Sequence, residues 1–283
     1  FLAPHEDRTV LPTKPALSRE DLRVAHDYYG VVTEDKKVAL TFDDGPHPEF
    51  TPEILDTLDR NKVPATFFVI GEQVLEHPLV ARSIVSRGYA VGNHSFTHAE
   101  EVHITPERMR GEILNTERVI WAVMGVETEY YRAPFLLDMG GAVLPNPDAP
   151  LRPAIRTVLD LGYMPLGVDR DSYDWATLIS EEMSDYLVTE SVSGSVILLH
   201  DNAETAEELP RLIEELREGG YEIVPLSTLV PSPVRPQSTL ATALTAYTVS
   251  DVLIVWMRIV GIHVVLLVSF LAIALFVVRI IAL

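Results

Sequence analysis

From Lys37 to Val230, short runs of β-branched and aromatic residues alternate with longer stretches whose apolar positions recur every three or four residues. The short runs read as strands: VALTF (38–42), ATFFVI (65–70), YAVGN (89–93), YYRAP (130–134), MPLGV (164–168), SVILL (195–199) and YEIVP (221–225). The longer ones read as helices over 51–61, 78–88, 106–125, 152–162 and 208–220, bounded by capping residues, Gly and Pro. Seven β/α units in about 190 residues predict a parallel sheet covered by helices, because parallel neighbours need crossover connections. The pattern by itself allows a doubly wound open sheet or a closed barrel.

The rhythm stops at Val230. Residues 231–250 (PSPVRPQSTLATALTAYTVS) hold no sustained period and read as a linker. Beyond it, Ile259 to Val278 runs for 20 residues without a formal charge, about 30 Å of helix and the thickness of a bilayer core. A transmembrane helix is expected there, a buried core helix being the alternative. Arg258 and Arg279 bracket the span, so flanking charge does not fix its orientation. The expected organisation is an N-terminal extension (1–36), a folded domain (37–230), a linker (231–251) and a transmembrane helix region (252–283). The chain opens on Phe1, so the lack of a leader sequence says little about compartment.

Composition narrows the chemistry. Lys and Arg number 22 against 41 Asp and Glu, a net charge of −19, which disfavours nucleic acid as a partner. There is no cysteine, so disulfides, thiolate nucleophiles and cysteine-bound zinc are excluded, and a metal must be held by His, Asp or Glu. Mean hydropathy is +0.17, high for so acidic a chain, and the terminal apolar run accounts for it.

Polar residues cluster just after the strands: Asp43 and Asp44, His94 and His98, Arg132, Asp171 and Asp174, His200 and Asp201. In a β/α barrel such positions converge on the C-terminal face, whereas an open sheet spreads them along an edge. Five strand ends carrying chemistry therefore favour a barrel with one site. TFDDGP (41–46) closes a strand with adjacent carboxylates, one free to ligate a cation while the other remains a base. A plain Asp-Gly-Pro turn is its alternative. GNHSFTH (92–98) sets two imidazoles four residues apart, a spacing that brings both to one side of a helical turn. With a carboxylate from another strand end they form a facial His/His/Asp set with positions left open for water and substrate. Arg132 in YYRAPF (130–135) needs a carboxylate or an anionic ligand, and DSYDW (171–175) offers Asp171 or Asp174. His200 in ILLHD (197–201) suits a general acid near neutral pH, or else a buried structural role. His5, His26, His47, His77 and His103 read as surface groups.

With all five clusters in this order, the chain resembles the polysaccharide deacetylases of carbohydrate esterase family four, the nodulation-deacetylase homology domain, over roughly 37–230. The resemblance implies an α/β fold, a (β/α)7 barrel, followed here by the linker and helix. It implies that Asp43 is the catalytic base and that Asp44, His94 and His98 hold a divalent metal, usually zinc. Arg132 would orient Asp43 and itself be tethered by Asp174, and His200 would be the catalytic acid. Trp175 and Leu198 would wall the pocket for the acetyl methyl, and the backbone N–H of Phe135 would join the metal in stabilising the oxyanion. The implied reaction removes N-acetyl groups from N-acetylglucosamine-containing polysaccharide and releases acetate.

Two departures bear on substrate. After Phe135 the segment LLDMGGAVLPNPDAP (136–150) is longer than the family's usual path and lies beside the mouth, and Asp169 with Asp171 adds an acidic pair. The order of domain, linker and helix is also similar to the front half of proteins that fuse this domain to a family-two glycosyltransferase, which implies a catalytic domain outside the cytoplasm. The rival readings are an esterase acting on O-acetyl polysaccharide such as xylan, and an inactive carbohydrate-binding module of a membrane polysaccharide-assembly protein. The intact set of Asp43, Asp44, His94, His98 and His200 argues against the second.

Overall fold

The computed structural model describes residues 35–100, 103–136, 153–168, 170–174 and 183–230. Its strands are β1 (Lys37–Asp43), β2 (Ala65–Val69), β3 (Ala90–Asn93), β4 (Tyr130–Tyr131), β5 (Met164–Pro165), β6 (Arg170–Asp171), β7 (Ser195–His200) and β8 (Glu222–Ile223). The helices are α1 (Phe50–Asn61), α2 (Gly71–Glu76), α3 (Pro78–Ser86), α4 (Pro106–Met124), α5 (Pro153–Asp160), α6 (Met183–Glu190), α7 (Ala203–Glu218) and α8 (Leu226–Leu229). The strands form one sheet in the order β5-β4-β3-β2-β1-β7-β6, with β8 pairing the start of β1. Every pairing is parallel.

That order is the cyclic order of a barrel with one seam open. β5 and β6, its two ends, do not pair among the described residues, so the expected closed (β/α)7 ring is here a curled, incomplete barrel. The reason is local: both strands are two residues long, and β5 ends in Pro165, which has no N–H to offer a neighbour. The curl itself is visible in side-chain reach. β1 and β4 are three ladder steps apart, roughly 14 Å in a flat sheet, yet Arg132 just after β4 contacts Asp43 of β1 at 2.6 Å.

Strand alternation divides the core. Ala39, Phe68, Tyr130, Leu166 and Val196 line the inside of the curl, where Leu226, Leu229 and Val230 plug it from below. On the outer face Phe42 stacks on Phe67 with ring centroids 5.0 Å apart, and Tyr89 meets Phe67 edge-on. Tyr131, one residue from Tyr130, packs outward with Met109, Ile113, Ile155 and Val158 of α4 and α5. Thr105 caps α4 by accepting from Arg108 N–H at 3.3 Å, and Gly125 ends it at φ 74. The last helix of the pattern was expected from 208. It begins at Ala203, where Asn202 accepts from Thr205 N–H at 2.8 Å, and it carries Pro210 within its length.

Among the described residues, no helix is long and apolar enough to cross a membrane. The expected linker and span at 231–283, the extension up to residue 34, Trp175 and most of the loop after Phe135 lie outside the described residues.

Candidate active site

The ladder brings the chemistry to one level. Asp43 is in register with His200 across β1 and β7, and with Phe68 across β1 and β2. Hydrogen bonds then carry the level onward: His94 N–H to Val69 O at 3.0 Å, and Arg132 N–H to Asn93 O at 3.0 Å. Because side chains alternate, Thr41 and Asp43 share one face of β1, while Val196, Leu198 and His200 share one face of β7.

Asp44, His94 and His98 form a group of potential metal ligands, their donor atoms all within 4.8 Å of one another. Asp44 Oδ1 lies 3.3 Å from His94 Nε2 and 3.1 Å from His98 Nε2, yet this buried oxygen has no well-aligned hydrogen bond. His94 Nδ1 faces the Arg132 carbonyl at 2.9 Å. A carbonyl only accepts, so Nδ1 carries the ring proton and the Nε2 lone pair points at the cluster, the arrangement that metal-binding imidazoles use. Two imidazole nitrogens and an unsatisfied carboxylate oxygen meeting at one point fit a divalent cation. The electrostatics agree. Burial opposes ionisation of Asp44, but His94 and His98 outweigh it and hold the carboxyl below the usual range. His94 is likewise penalised by burial, yet Asp43 and Asp44 push its pKa up: the site is negative and wants a cation.

Asp43 is 2% exposed, and its Oδ1 accepts from Arg132 Nη1 at 2.6 Å. Arg132 is fully buried; Nη1 also donates to Thr41 Oγ1 at 2.9 Å, and the guanidinium lies 4.2 Å over the Phe68 ring. Asp43 Oδ2 is 3.8 Å from His94 Nε2, so one oxygen is held by arginine while the other faces the metal ligands. His200 is paired with Asp174, Nδ1 to Oδ1 at 2.5 Å, and donates its backbone N–H to Oδ2 at 2.7 Å. Burial lowers the His200 pKa, but the Asp174 pairing, with Asp43 and Asp44 beyond it, raises it to about 9. Phe135, at φ 61 and 58% exposed, sets its ring edge-on to His98 with centroids 4.7 Å apart. Leu198 is buried on β7, two residues before His200.

Residues 30–139 match the family model for polysaccharide deacetylase. The chain is 29% identical over 206 residues to a peptidoglycan-N-acetylglucosamine deacetylase of Bacillus cereus, covering 71% of this chain and 91% of that one. It is 32% identical over 217 residues to a chitooligosaccharide deacetylase of a Bradyrhizobium species, covering 71% and 94%. The chain belongs to the polysaccharide deacetylase family. A solved structure of a family-four pseudoenzyme from Bacillus anthracis superimposes with a TM-score of 0.61 at 25% identity, covering 70% of this chain and 66% of that one. The polysaccharide deacetylases therefore include proteins named as pseudoenzymes.

Within this polysaccharide deacetylase domain, one expected contact is different. Asp174 does not tether Arg132; its carboxylate is taken up by His200 and by Thr205 Oγ1 on α7, while Arg132 is held by Asp43, Thr41 and the Gly167 carbonyl at 3.4 Å. Position explains it: Asp174 follows β6, the neighbour of β7, which ends in His200, whereas β4 and Arg132 lie on the other side of β1. Asp171 caps a local turn by accepting from Tyr173 N–H at 2.9 Å. His47 is only half-buried, but it is not a free surface group: Nδ1 accepts from the backbone N–H of Glu49 and Phe50 at the start of α1.

Glu112 was not singled out from the sequence, and Asp201 was named only as a strand-end polar residue with no role assigned. Glu112 on α4 is 8% exposed and accepts from the N–H groups of Phe96 and Thr97 at 3.1 and 2.8 Å, anchoring the loop that holds Ser95 and His98 at φ 65 and 55. Asp201 is buried behind Gly45, and burial pushes its pKa up to about 7. An acidic residue on the buried stripe of a helix was the available signal for Glu112, and Glu117 on the same helix shares it. For Asp201 it was an acid directly after an otherwise apolar strand.

Proposed function

We propose that this chain is a metal-dependent hydrolase that removes N-acetyl groups from N-acetylglucosamine-containing polysaccharide, releasing acetate and leaving an amine. The observation that carries this reading is the placement of an arginine-held carboxylate and an aspartate-held imidazole, Asp43 and His200, at paired ends of β1 and β7 beside the Asp44, His94 and His98 cluster. A bound divalent ion, zinc being the one this donor set suits, supplies polarisation of the acetyl carbonyl and acidification of water. Asp43 takes the proton of the attacking water, its Oδ1 fixed by Arg132 so that Oδ2 is the basic atom. His200, kept protonated by Asp174, gives its proton to the departing nitrogen. Leu198 forms the apolar wall for the acetyl methyl, a role the family resemblance also implies for Trp175, and the Phe135 backbone N–H donates to the oxygen as negative charge develops there.

The apolar run at 259–278 supports a further part of the proposal, a membrane tether that keeps the domain next to its polymer outside the cytoplasm. The identity of the curated relatives supports an amide substrate over an O-acetyl ester. Asp43→Asn, nearly the same in shape, is expected to abolish acetate release from N-acetylglucosamine oligomers while zinc binding, measured by calorimetry, persists. Retained turnover in that variant contradicts Asp43 as base, and release from acetylated xylan alone moves the assignment to an ester.

A further inference from the structure

Asp44 sits at φ 71, a left-handed backbone that a residue other than glycine keeps only where its surroundings enforce it. Both of its neighbours are pinned. The Asp43 carbonyl accepts from the backbone N–H of Asp201 at 2.9 Å, and the Gly45 carbonyl accepts from Ile70 N–H at 2.9 Å. The Asp201 side chain completes the bracket: Oδ2 accepts a hydrogen bond from Thr51 Oγ1 on α1, and Thr51 Oγ1 accepts from the His47 backbone N–H at 2.7 Å. A Cβ placed on Gly45 would lie 2.4 Å from Asp201 Oδ2, with Asp201 Cγ and Cβ next at 3.3 and 3.5 Å. All three nearest atoms belong to Asp201, so this carboxylate is what demands glycine at position 45.

We propose that Asp201 is a positioning residue, its backbone N–H and carboxylate together clamping the 43–47 turn so that Asp43 faces Arg132 and Asp44 faces the two histidines. It touches neither the substrate nor the reacting atoms. A purely structural role would lower stability without altering the metal site. The clamp instead predicts that Gly45 and Asp201 are coupled, and that both report on metal geometry. The kinetic part of the test rests on the deacetylase reading, whereas the metal-binding part does not.

The experiment is a double-mutant cycle of Gly45→Ala and Asp201→Ala in the full chain. It is read by cobalt(II) titration through the visible absorption spectrum, by thermal melting, and by kcat and KM for acetate release from N-acetylglucosamine oligomers. Gly45→Ala alone should weaken cobalt binding and lower kcat about 100-fold, the effect of an ångström-scale misplacement, with KM little changed. Asp201→Ala should shift the same quantities, and the double variant should be no worse than Asp201→Ala, since the clashing oxygen is gone. Asp201→Asn keeps the size and the acceptor for Thr51 and should retain the wild-type spectrum and most of the turnover. Multiplied losses in the double variant, or Asp201→Ala with wild-type cobalt affinity and kcat, would overturn the clamp, as would a lowered melting temperature with an unchanged spectrum. If either alanine variant fails to fold, Thr51→Val, which removes only the hydroxyl partner, must alter spectrum and kcat in the same direction or the proposal falls. A wild-type protein that releases no acetate defeats the deacetylase reading alone, and the cobalt arm still decides the role of Asp201.

Discussion

The proton on His200 is controlled by Asp174, which meets the ring Nδ1 at 2.5 Å and the backbone N–H of the same residue at 2.7 Å. Burial favours the neutral ring, but this pairing raises the folded-state pKa to about 9 against 6.5 for the free side chain. The folded protein therefore binds that proton more tightly than the unfolded chain. The contribution of His200 protonation to stability is complete below about pH 6.5 and is lost as pH rises through about 9. Asp174 is shifted the other way: burial opposes its ionisation, His200 outweighs burial, and its contribution is present above the unfolded carboxyl value and lost as pH falls through the lowered folded one. In chelator-treated protein, NMR titration of the His200 ring should give a midpoint near 9, and Asp174→Asn should bring it well down. A midpoint unmoved by Asp174→Asn would mean that some other group holds the proton. In the proposed reaction the residue-scale division of labour is a carboxylate held by arginine as base and an imidazole held by a carboxylate as acid.

At the scale of elements, the site depends on strands that leave no room to shift. A Cβ on Gly92 of β3 would lie 2.3 Å from the buried Phe68 ring of β2, the ring that carries the Arg132 guanidinium 4.2 Å above it. Gly92→Ala should therefore cost about 1–3 kcal/mol of stability by overpacking, measurable by denaturant unfolding, and lower turnover through Arg132. An unchanged midpoint would show that Phe68 has space to move. The same packing explains what was legible in advance. β1, β2 and β7 announce themselves because burial on both faces demands unbroken apolar or β-branched runs. β6 does not, since Arg170–Asp171 is two polar residues recruited to the sheet by pairing with β7 alone. The six-residue α2 is too short for its period to stand out, and α6, though as long as α5, is only weakly amphipathic. The polar candidate residues stood out in the sequence because each ends a strand or follows one. Their partners were less so: which carboxylate takes Arg132 and which takes His200 depends on the order of strands around the curl, and Glu112 and Asp201 act through backbone groups of distant segments. Whether the ring closes was beyond the repeat count, because Pro165 and two-residue strands decide it.

For the whole molecule, the sequence joins an acidic deacetylase domain to an apolar run at 259–278. The tether predicts that the full chain floats with phospholipid vesicles in a density gradient while a chain ending at Val230 stays in the aqueous fraction; equal partitioning of the two would remove the span from the account. The acidic balance of −19 suits a polymer that gains cationic amines as acetyl groups leave. The proposed activity is metal-dependent amide hydrolysis at the Asp44, His94 and His98 cluster. Its most direct test takes the full chain in detergent, strips it with a chelator, and measures acetate released from N-acetylglucosamine oligomers before and after adding zinc or cobalt. Release should disappear on stripping and return with the ion. Release undiminished in the stripped protein, or none from any amide substrate once the ion is restored, would contradict it.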